Sequence, residues 1–393
     1  MKIFYGWVII AAGIAITCIG MGSVMALGVF LPPLEAAQGW SRTAVAGASM
    51  MAFLAMGLAG FGWGALTDRY GTRAVVLAGG AVHGLGLMLA SRAGSALELQ
   101  LAFGVIGGAG AGAYMAPLTT SASHWFEKHR GLAVALVTAG TGMGSLLMAP
   151  LATWLIAEFG WRAAFMGMGA LAWAVIVPAA LLLRPAPVVA GAAAKGGITA
   201  GEALRSPQLL AVAGTYFACC AAHSGPLFHM VSYAVDCGIA PLSAATLLGA
   251  TGMAGLAGRI GGGMVADRLG VKPTVLLALL SQAVAIALYV TVREPGQFLA
   301  LGVLFGLSYG AVMPLYAVLI RTWFGPAVMG TAFGAVSMAG TFGMAAGPVT
   351  GGWLHGWGGD YAWLYAASAA IGLGALAIAL TFRAPTAMRL RMA

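Results

Sequence analysis

Few side chains in this chain have the chemistry to bind or react, and Arg259 is the most isolated of them. It is the one full charge lying well inside an apolar run that extends from about Pro241 to Ala266 of 393 residues. A guanidinium in hydrocarbon costs about 2.5–3.5 kcal/mol on insertion scales, and it cannot shed its proton to escape. Such a group normally faces a protein-lined cavity and has a partner, and the obvious partner for an isolated buried cation is an anion brought from outside. The alternative is a guanidinium bonded to helix C-terminal carbonyls or snorkelling to the cytoplasmic interface, about 10 Å away. The planar fork of Arg suits a carboxylate, to which it gives two parallel charge-assisted hydrogen bonds. Its neighbours, Gly255-Leu256-Ala257-Gly258-Arg259-Ile260-Gly261-Gly262, are small enough to let adjacent backbones approach. Tyr114, three residues before Pro117, and Tyr309, five before Pro314, are the next candidates. A phenol can bond a carboxylate or hydroxyl while its ring walls a cavity. A histidine can change charge in the physiological range, which makes His229, followed one turn later by Tyr233, the candidate proton carrier. His223 and His83 are lesser alternatives.

Other patterns carry less. His223-Ser224 has no evident third member of a triad, and no His/Cys/carboxylate group has metal-ligand spacing. No catalytic residue, metal or cofactor is therefore expected, and the chain does not read as an enzyme. Gly108-Ala109-Gly110-Ala111-Gly112 resembles part of a dinucleotide loop, but it follows no strand and lies in an apolar helix, where glycine serves helix packing.

The elements that must position these residues are membrane helices. Hydrophobic residues make up 61% of the chain and charged residues 7%, which excludes a soluble globular domain or a disordered chain. A span takes about 20 apolar residues, and polar breaks divide the sequence into twelve of them. They lie near 4–31, 43–67, 74–92, 97–122, 131–157, 162–183, 207–236, 241–266, 273–292, 297–321, 327–356 and 361–382. The runs are continuously apolar rather than alternating, which argues for helices and against strands. The first run, after Lys2, is too long for a signal-peptide core and is read as a retained helix. The four cysteines mostly fall inside spans and say little about redox compartment.

With twelve spans, both termini lie on one side. That side holds Lys2, Arg69, Arg73, Lys128, Arg130, Arg184, Lys195, Arg205, Arg268, Lys272, Arg321, Arg383, Arg389 and Arg391, whereas the opposite loops hold only Arg42, Arg92, Arg162 and Arg293. The positive-inside rule puts both termini in the cytoplasm of a multi-pass protein of the cell (inner) membrane. The net charge of +9 needs no nucleic-acid partner, since topology and an anionic lipid bilayer account for it.

The sequence is internally duplicated. Gly64-Ala65-Leu66-Thr67-Asp68-Arg69-Tyr70-Gly71-Thr72-Arg73 returns as Gly263-Met264-Val265-Ala266-Asp267-Arg268-Leu269-Gly270-Val271-Lys272. Ala116-Pro117 and Trp125-Phe126 return as Met313-Pro314 and Trp323-Phe324, and Gly160-Trp161-Arg162 as Gly359-Asp360-Tyr361. The offset stays at about 197–199 residues, as two homologous six-helix bundles require. The predicted domains are an N-terminal bundle over 1–183, a cytoplasmic linker over 184–206 and a C-terminal bundle over 207–393.

On these residues the chain resembles the major facilitator superfamily, whose signature is the Gly-x-x-x-Asp-Arg-x-Gly-x-Arg/Lys loop after span 2, echoed after span 8. The resemblance implies an all-α membrane fold of two six-helix bundles and a gating role for Asp68, Arg69, Arg73, Asp267 and Arg268. Each aspartate would sit against the positive end of a helix of the opposite half, Asp68 near Phe324–Gly330 and Asp267 near Arg130–Leu132. A narrower match follows span 4. Phe126, Lys128, Arg130, Leu132, Ala133, Ala139, Gly140 and Gly144 match the signature of the monocarboxylate transporters, from which Trp125, His129, Ala135 and Val137 depart. Gly6-Trp7 is similar to part of that family's first-helix signature. The pattern is of the bacterial type, related to oxalate–formate carriers.

The resemblance implies that Arg259 holds the substrate carboxylate and that Tyr114 and Tyr309 lie near the substrate. Met25 stands where the animal carriers have a first-helix Lys and can only be an apolar wall; Met313 is a second wall residue, one turn after Tyr309. Gly255 replaces the acidic partner usually found one turn before the Arg. One fixed cation favours a monoanion, because a second carboxylate would be left buried and unpaired. The expected function is secondary active, proton-coupled transport of a small monocarboxylate such as lactate or pyruvate by alternating access, with a monomeric functional unit. The alternative is an organic-anion antiporter of the oxalate/formate kind, or an exporter of another small acid.

Overall fold

A backbone in hydrocarbon must satisfy its own N–H and C=O groups, and a chain this apolar does so as helix. The computed structural model describes residues 4–126, 128–186, 199–358 and 360–384, and among them no strand occurs. Lys2, Lys195, Gly359, Arg389, Arg391 and residues 187–198 of the expected linker lie outside the described residues. The long helices are Gly6–Met25, Arg42–Tyr70, Thr72–Ala90, the run Ala96–Trp125, Arg130–Leu181, Pro207–Asp236, Pro241–Leu269, Val271–Leu288, the run Pro295–Phe324, Met329–Gly358 and Ala362–Leu380. The 52-residue run Arg130–Leu181 bends at Gly160 (φ 79°), so it supplies two of the expected spans. Eight of the helical runs are long and apolar enough to cross a membrane by length and composition.

Glycine marks the sharp corners. Gly71 (φ 81°) and Gly270 (φ 92°), the glycines of the repeated Asp-Arg-x-Gly loop, join consecutive helices with a positive φ that a side chain disfavours. After the Gly160 bend, Arg162 Nη1 donates to Ser91 O (3.0 Å) and Ala93 O (3.1 Å), covering carbonyls at the end of Thr72–Ala90.

The chain forms two compact units. Unit 1 comprises Met1–Glu127, Leu136–Ala200 and Phe324–Met338, and unit 2 comprises Lys128–Ala135, Gly201–Trp323 and Ala339–Ala393. Without a hydrophobic contrast between lipid and core, helices associate through close contact at small residues. In unit 2, Gly302, Gly306 and Gly310 line one face of Pro295–Val312 and meet Thr251, Ala254 and Gly255 of Pro241–Leu269. In unit 1, Gly104, Gly108 and Gly112 meet Ala48, Ala52, Met56 and Gly60 of Arg42–Tyr70 in the same way. The two glycine ladders are offset by about 198 residues, so the duplication extends to the contact surface. The dinucleotide-like Gly108–Gly112 stretch is part of this packing.

Gly258→Ala tests the ladder. A Cβ there would come 2.8 Å from Leu307 Cα, and backbone cannot swing aside as a side chain could. The expected result is a loss of about 1–3 kcal/mol, read as a lower melting temperature of the detergent-solubilised protein. Gly261→Ala, whose Cβ would meet nothing within 4 Å, should leave the melt unchanged. Equal melting of the two variants would refute the close-contact account.

Candidate functional site

The site builds outward from the contact between Pro241–Leu269 and Pro295–Val312. Because Gly255, Gly258 and Gly262 press against that neighbour, Arg259 is carried beside it, and its guanidinium carbon lies 5.8 Å from the centre of the Tyr309 ring. That distance is within reach of a cation–π contact. Arg259 Nε is buried and has no hydrogen-bond partner among the described residues. A cation beside a ring face, with its Nε unpartnered among the described residues, retains its capacity for an anion.

Tyr309 also explains the missing acid. A Cβ on Gly255 would lie 2.6 Å from the Tyr309 hydroxyl, so the phenol occupies the space that a side chain at 255 would need. Behind Tyr309 the imidazole of His223 stacks at 5.2 Å with an interplanar angle of 15°. His223 Nδ1 is 2.8 Å from the carbonyl of Cys219 and must carry the proton there, which leaves the Nε2 lone pair for another partner. The same carbonyl accepts from Gln282 Nε2 at 3.3 Å, and Cys219 Sγ reaches Gln282 Oε1 at 3.5 Å. Tyr216 stacks on Tyr316 at 4.3 Å, with Gly340 against the Tyr216 ring. Unit 2 thus holds a buried polar layer of Arg259, Tyr309, His223, Cys219, Gln282, Tyr216 and Tyr316.

The sequence offered His223 only as a lesser alternative to His229 and gave no sign of Tyr216, Tyr316 or Gln282. The four-residue glycine spacing was the one signal available, since it marks the face of Pro295–Val312 that meets the Arg259 helix. His229 instead meets Tyr361 at 5.1 Å with the rings tilted by 34° and lies against Gly351. Met313 packs against the hydrophobic cluster that includes Tyr309.

Tyr114 and Met25 belong to unit 1. Tyr114 sits in a break of the Ala96–Trp125 run, where Pro117 supplies no N–H to the carbonyl of Ala113; Met313–Pro314 interrupts Pro295–Phe324 similarly. The Tyr114 ring is fully buried, edge-on to His83 at 5.8 Å, and fits because residue 20 is glycine. Its hydroxyl and His83 Nε2 have no hydrogen-bond partner among the described residues. Met25 ends the first helix and is partly buried.

The loop aspartates lie at helix N-termini. Asp68 accepts from Gly330 N (2.8 Å), Thr331 N (2.7 Å) and Thr331 Oγ1 (2.6 Å), all within unit 1. Asp267 accepts from Gly131 N (2.9 Å) and Leu132 N (3.2 Å), within unit 2. Backbone N–H groups at a helix start are natural anion donors. Arg69 lies over the Tyr70 ring at 5.2 Å, and Arg73 and Arg268 are exposed.

Comparison with known proteins agrees with this architecture. The sequence profile of the Major Facilitator Superfamily matches residues 12–295 and 261–390. The chain is 31% identical to human monocarboxylate transporter 11 over 91% of its length and 78% of that protein. It is 29% identical to bovine monocarboxylate transporter 13, over 97% of this chain and 92% of the relative. Among solved structures, the proton:xylose symporter XylE superposes with a TM-score of 0.77 at 15% identity, covering 96% of each chain. The human organic anion transporter MFSD10 superposes with a TM-score of 0.74 at 17% identity, over 95% of this chain and 99% of that one. With its all-helical duplicated architecture and relatives along nearly its whole length, the chain belongs to the monocarboxylate transporter-like family of the major facilitator superfamily.

Proposed function

We propose that this membrane transporter carries a small monocarboxylate of the lactate or pyruvate type together with a proton, by alternating access, with its termini in the cytoplasm. One observation carries the reading: a half-buried Arg259 beside the Tyr309 ring, whose buried Nε has no hydrogen-bond partner among the described residues. A monocarboxylate would supply that partner and leave its short apolar tail to the walls. The names of the relatives, monocarboxylate transporters 11 and 13, support the same substrate class.

His223 takes the proton-carrying role in this proposal in place of His229, because His223 and Arg259 approach the same Tyr309 ring. A proton on His223 is repelled by an unneutralised Arg259. Once a carboxylate neutralises the guanidinium the repulsion falls, so anion and proton favour each other's binding. Asp68 and Asp267 serve as latches that release when the transporter changes state.

The test is lactate uptake into proteoliposomes with and without an inward proton gradient. The wild type is expected to accumulate lactate only with the gradient. His223→Phe, which keeps the ring stack and removes both nitrogens, should retain lactate counterflow and lose gradient-driven accumulation; His229→Phe should keep both. The opposite pattern would return the role to His229. Exchange indifferent to the gradient in the wild type would replace symport by antiport.

A further inference from the structure

An aromatic cluster in unit 1 takes no part in substrate binding as proposed above. Phe4, Tyr5 and Trp7, where the first helix begins, meet Trp125 and Phe126, where the fourth span ends: Phe4 to Phe126 is 5.3 Å, Tyr5 to Trp125 is 5.5 Å and Trp7 to Phe126 is 5.2 Å. Gly6-Trp7 and Phe126 belong to the two sequence pieces that carry the narrower family resemblance, and the fold brings them together. Gly6 lets the rings close on the helix start, since a Cβ there would crowd the Phe4 ring and come 2.9 Å from the Phe126 ring, so that these side chains would have to shift.

The cluster also fixes the chain leaving the sixth span. Tyr5 donates its hydroxyl hydrogen to Leu182 O at 2.9 Å, and Trp125 Nε1 donates to Arg184 O at 3.0 Å. The Arg184 guanidinium rests over the Tyr5 ring at 4.6 Å and is exposed. Two residues before Arg184, Leu182 ends an apolar groove of about 480 Å³ whose lining also includes Trp7, Ala11, Ala15 and Pro178. Ala11 and Ala15 are one helical turn apart, so the first helix presents a trough there rather than a ridge. From Trp7 to Ala15 the groove follows the helix for about 12 Å.

We propose that the groove and Arg184 form a binding site for one anionic glycerophospholipid, with an acyl chain along Ala11 and Ala15 and the phosphate on the Arg184 guanidinium. The charge is complementary: an exposed planar cation with ring support faces a leaflet that carries phosphate. Trp and Tyr side chains prefer the headgroup level of a bilayer, which is where this cluster would hold the phosphate. The assignment to the cytoplasmic leaflet rests on the orientation proposed above; the site itself does not.

The experiment uses the full-length protein in detergent, with melting temperature read against added lipid, so it needs neither a transport substrate nor an orientation. Dioleoyl phosphatidylglycerol is expected to raise the melting temperature by about 3 °C, as a tight ligand of the folded state does. Dioleoyl phosphatidylcholine and free glycerol 3-phosphate should not. Arg184→Gln should remove the shift, and so should Ala11→Phe, which fills the trough from an exposed position. Arg205→Gln, another exposed cation, should keep it. Retention of the shift in Arg184→Gln, an equal shift with phosphatidylcholine, or reproduction by glycerol 3-phosphate would each overturn the proposal.

Discussion

Arg259→Ala is expected to abolish carboxylate uptake in proteoliposomes while leaving the melting temperature unchanged or slightly raised. The two effects have opposite causes. On the role proposed for Arg259, removing the guanidinium would take away two charge-assisted hydrogen bonds to substrate, each worth about 1.5–3 kcal/mol, and a loss of 3 kcal/mol already weakens binding more than about 100-fold. The folded protein loses little in exchange, because Arg259 Nε has no hydrogen-bond partner among the described residues and the side chain's contact is with the Tyr309 ring. An Arg at membrane depth itself costs about 2.5–3.5 kcal/mol, which the alanine variant no longer bears. Arg259→Lys keeps the charge and loses the planar fork, so weak transport with KM raised about tenfold or more is expected. Uptake by both variants at the wild-type rate would remove Arg259 from the site. A marked fall in melting temperature with alanine would instead show a structural Arg.

Asp68→Asn is expected to have the second largest effect, and a larger one than Asp267→Asn. Asp68 accepts from two backbone N–H groups and the Thr331 hydroxyl at the start of Met329–Gly358, with distances of 2.6–2.8 Å. Asp267 accepts from two N–H groups, the longer at 3.2 Å. A carboxylate at a helix N-terminus contributes about 0.3–2 kcal/mol through the dipole alone, and each charged hydrogen bond adds to it. An amide keeps an acceptor oxygen but loses the charge. On the latch role proposed for Asp68, a weakening of about 1.4–2.8 kcal/mol shifts the balance between transport states 10- to 100-fold. Cysteine labelling of positions near Gly64 and Gly330 should then report a more open cytoplasmic side, with a lower rate of net uptake. Thr331→Ala should fall between the two aspartate variants. Equal effects of Asp68→Asn and Asp267→Asn would contradict the difference in their hydrogen bonding.

The number and extent of the helices were legible in the sequence because run length in hydrocarbon is a local property. The seventh span, expected over 207–236, is the helix Pro207–Asp236, and the tenth, expected over 297–321, lies within the run Pro295–Phe324. The duplicated Asp-Arg-x-Gly loops were legible for a related reason: the turns need glycine, and Gly71 and Gly270 both adopt positive φ. Arg259 stood out because a charge in such a run is costly unless something offsets it.

What the sequence could not decide was direction around each helix. In a soluble protein the polar face points to water and marks the inside by contrast. Here lipid and protein interior are equally apolar, so periodicity does not separate them. The sequence therefore had no physical ground for preferring His229 to His223, and only the fold stacked His223 on Tyr309 and set His229 against Tyr361. Gly255 read as a missing acid, and only the packing of Pro295–Val312 revealed that the Tyr309 hydroxyl fills its place. The contact of Gly6-Trp7 with Trp125-Phe126 spans more than a hundred residues and has no local signature. The sequence by itself determined that these helices form, how they repeat and where the charge lies. The tertiary structure decided which side chains meet that charge, because in a membrane protein this depends on small-residue contacts between helices rather than on hydrophobic pattern within them.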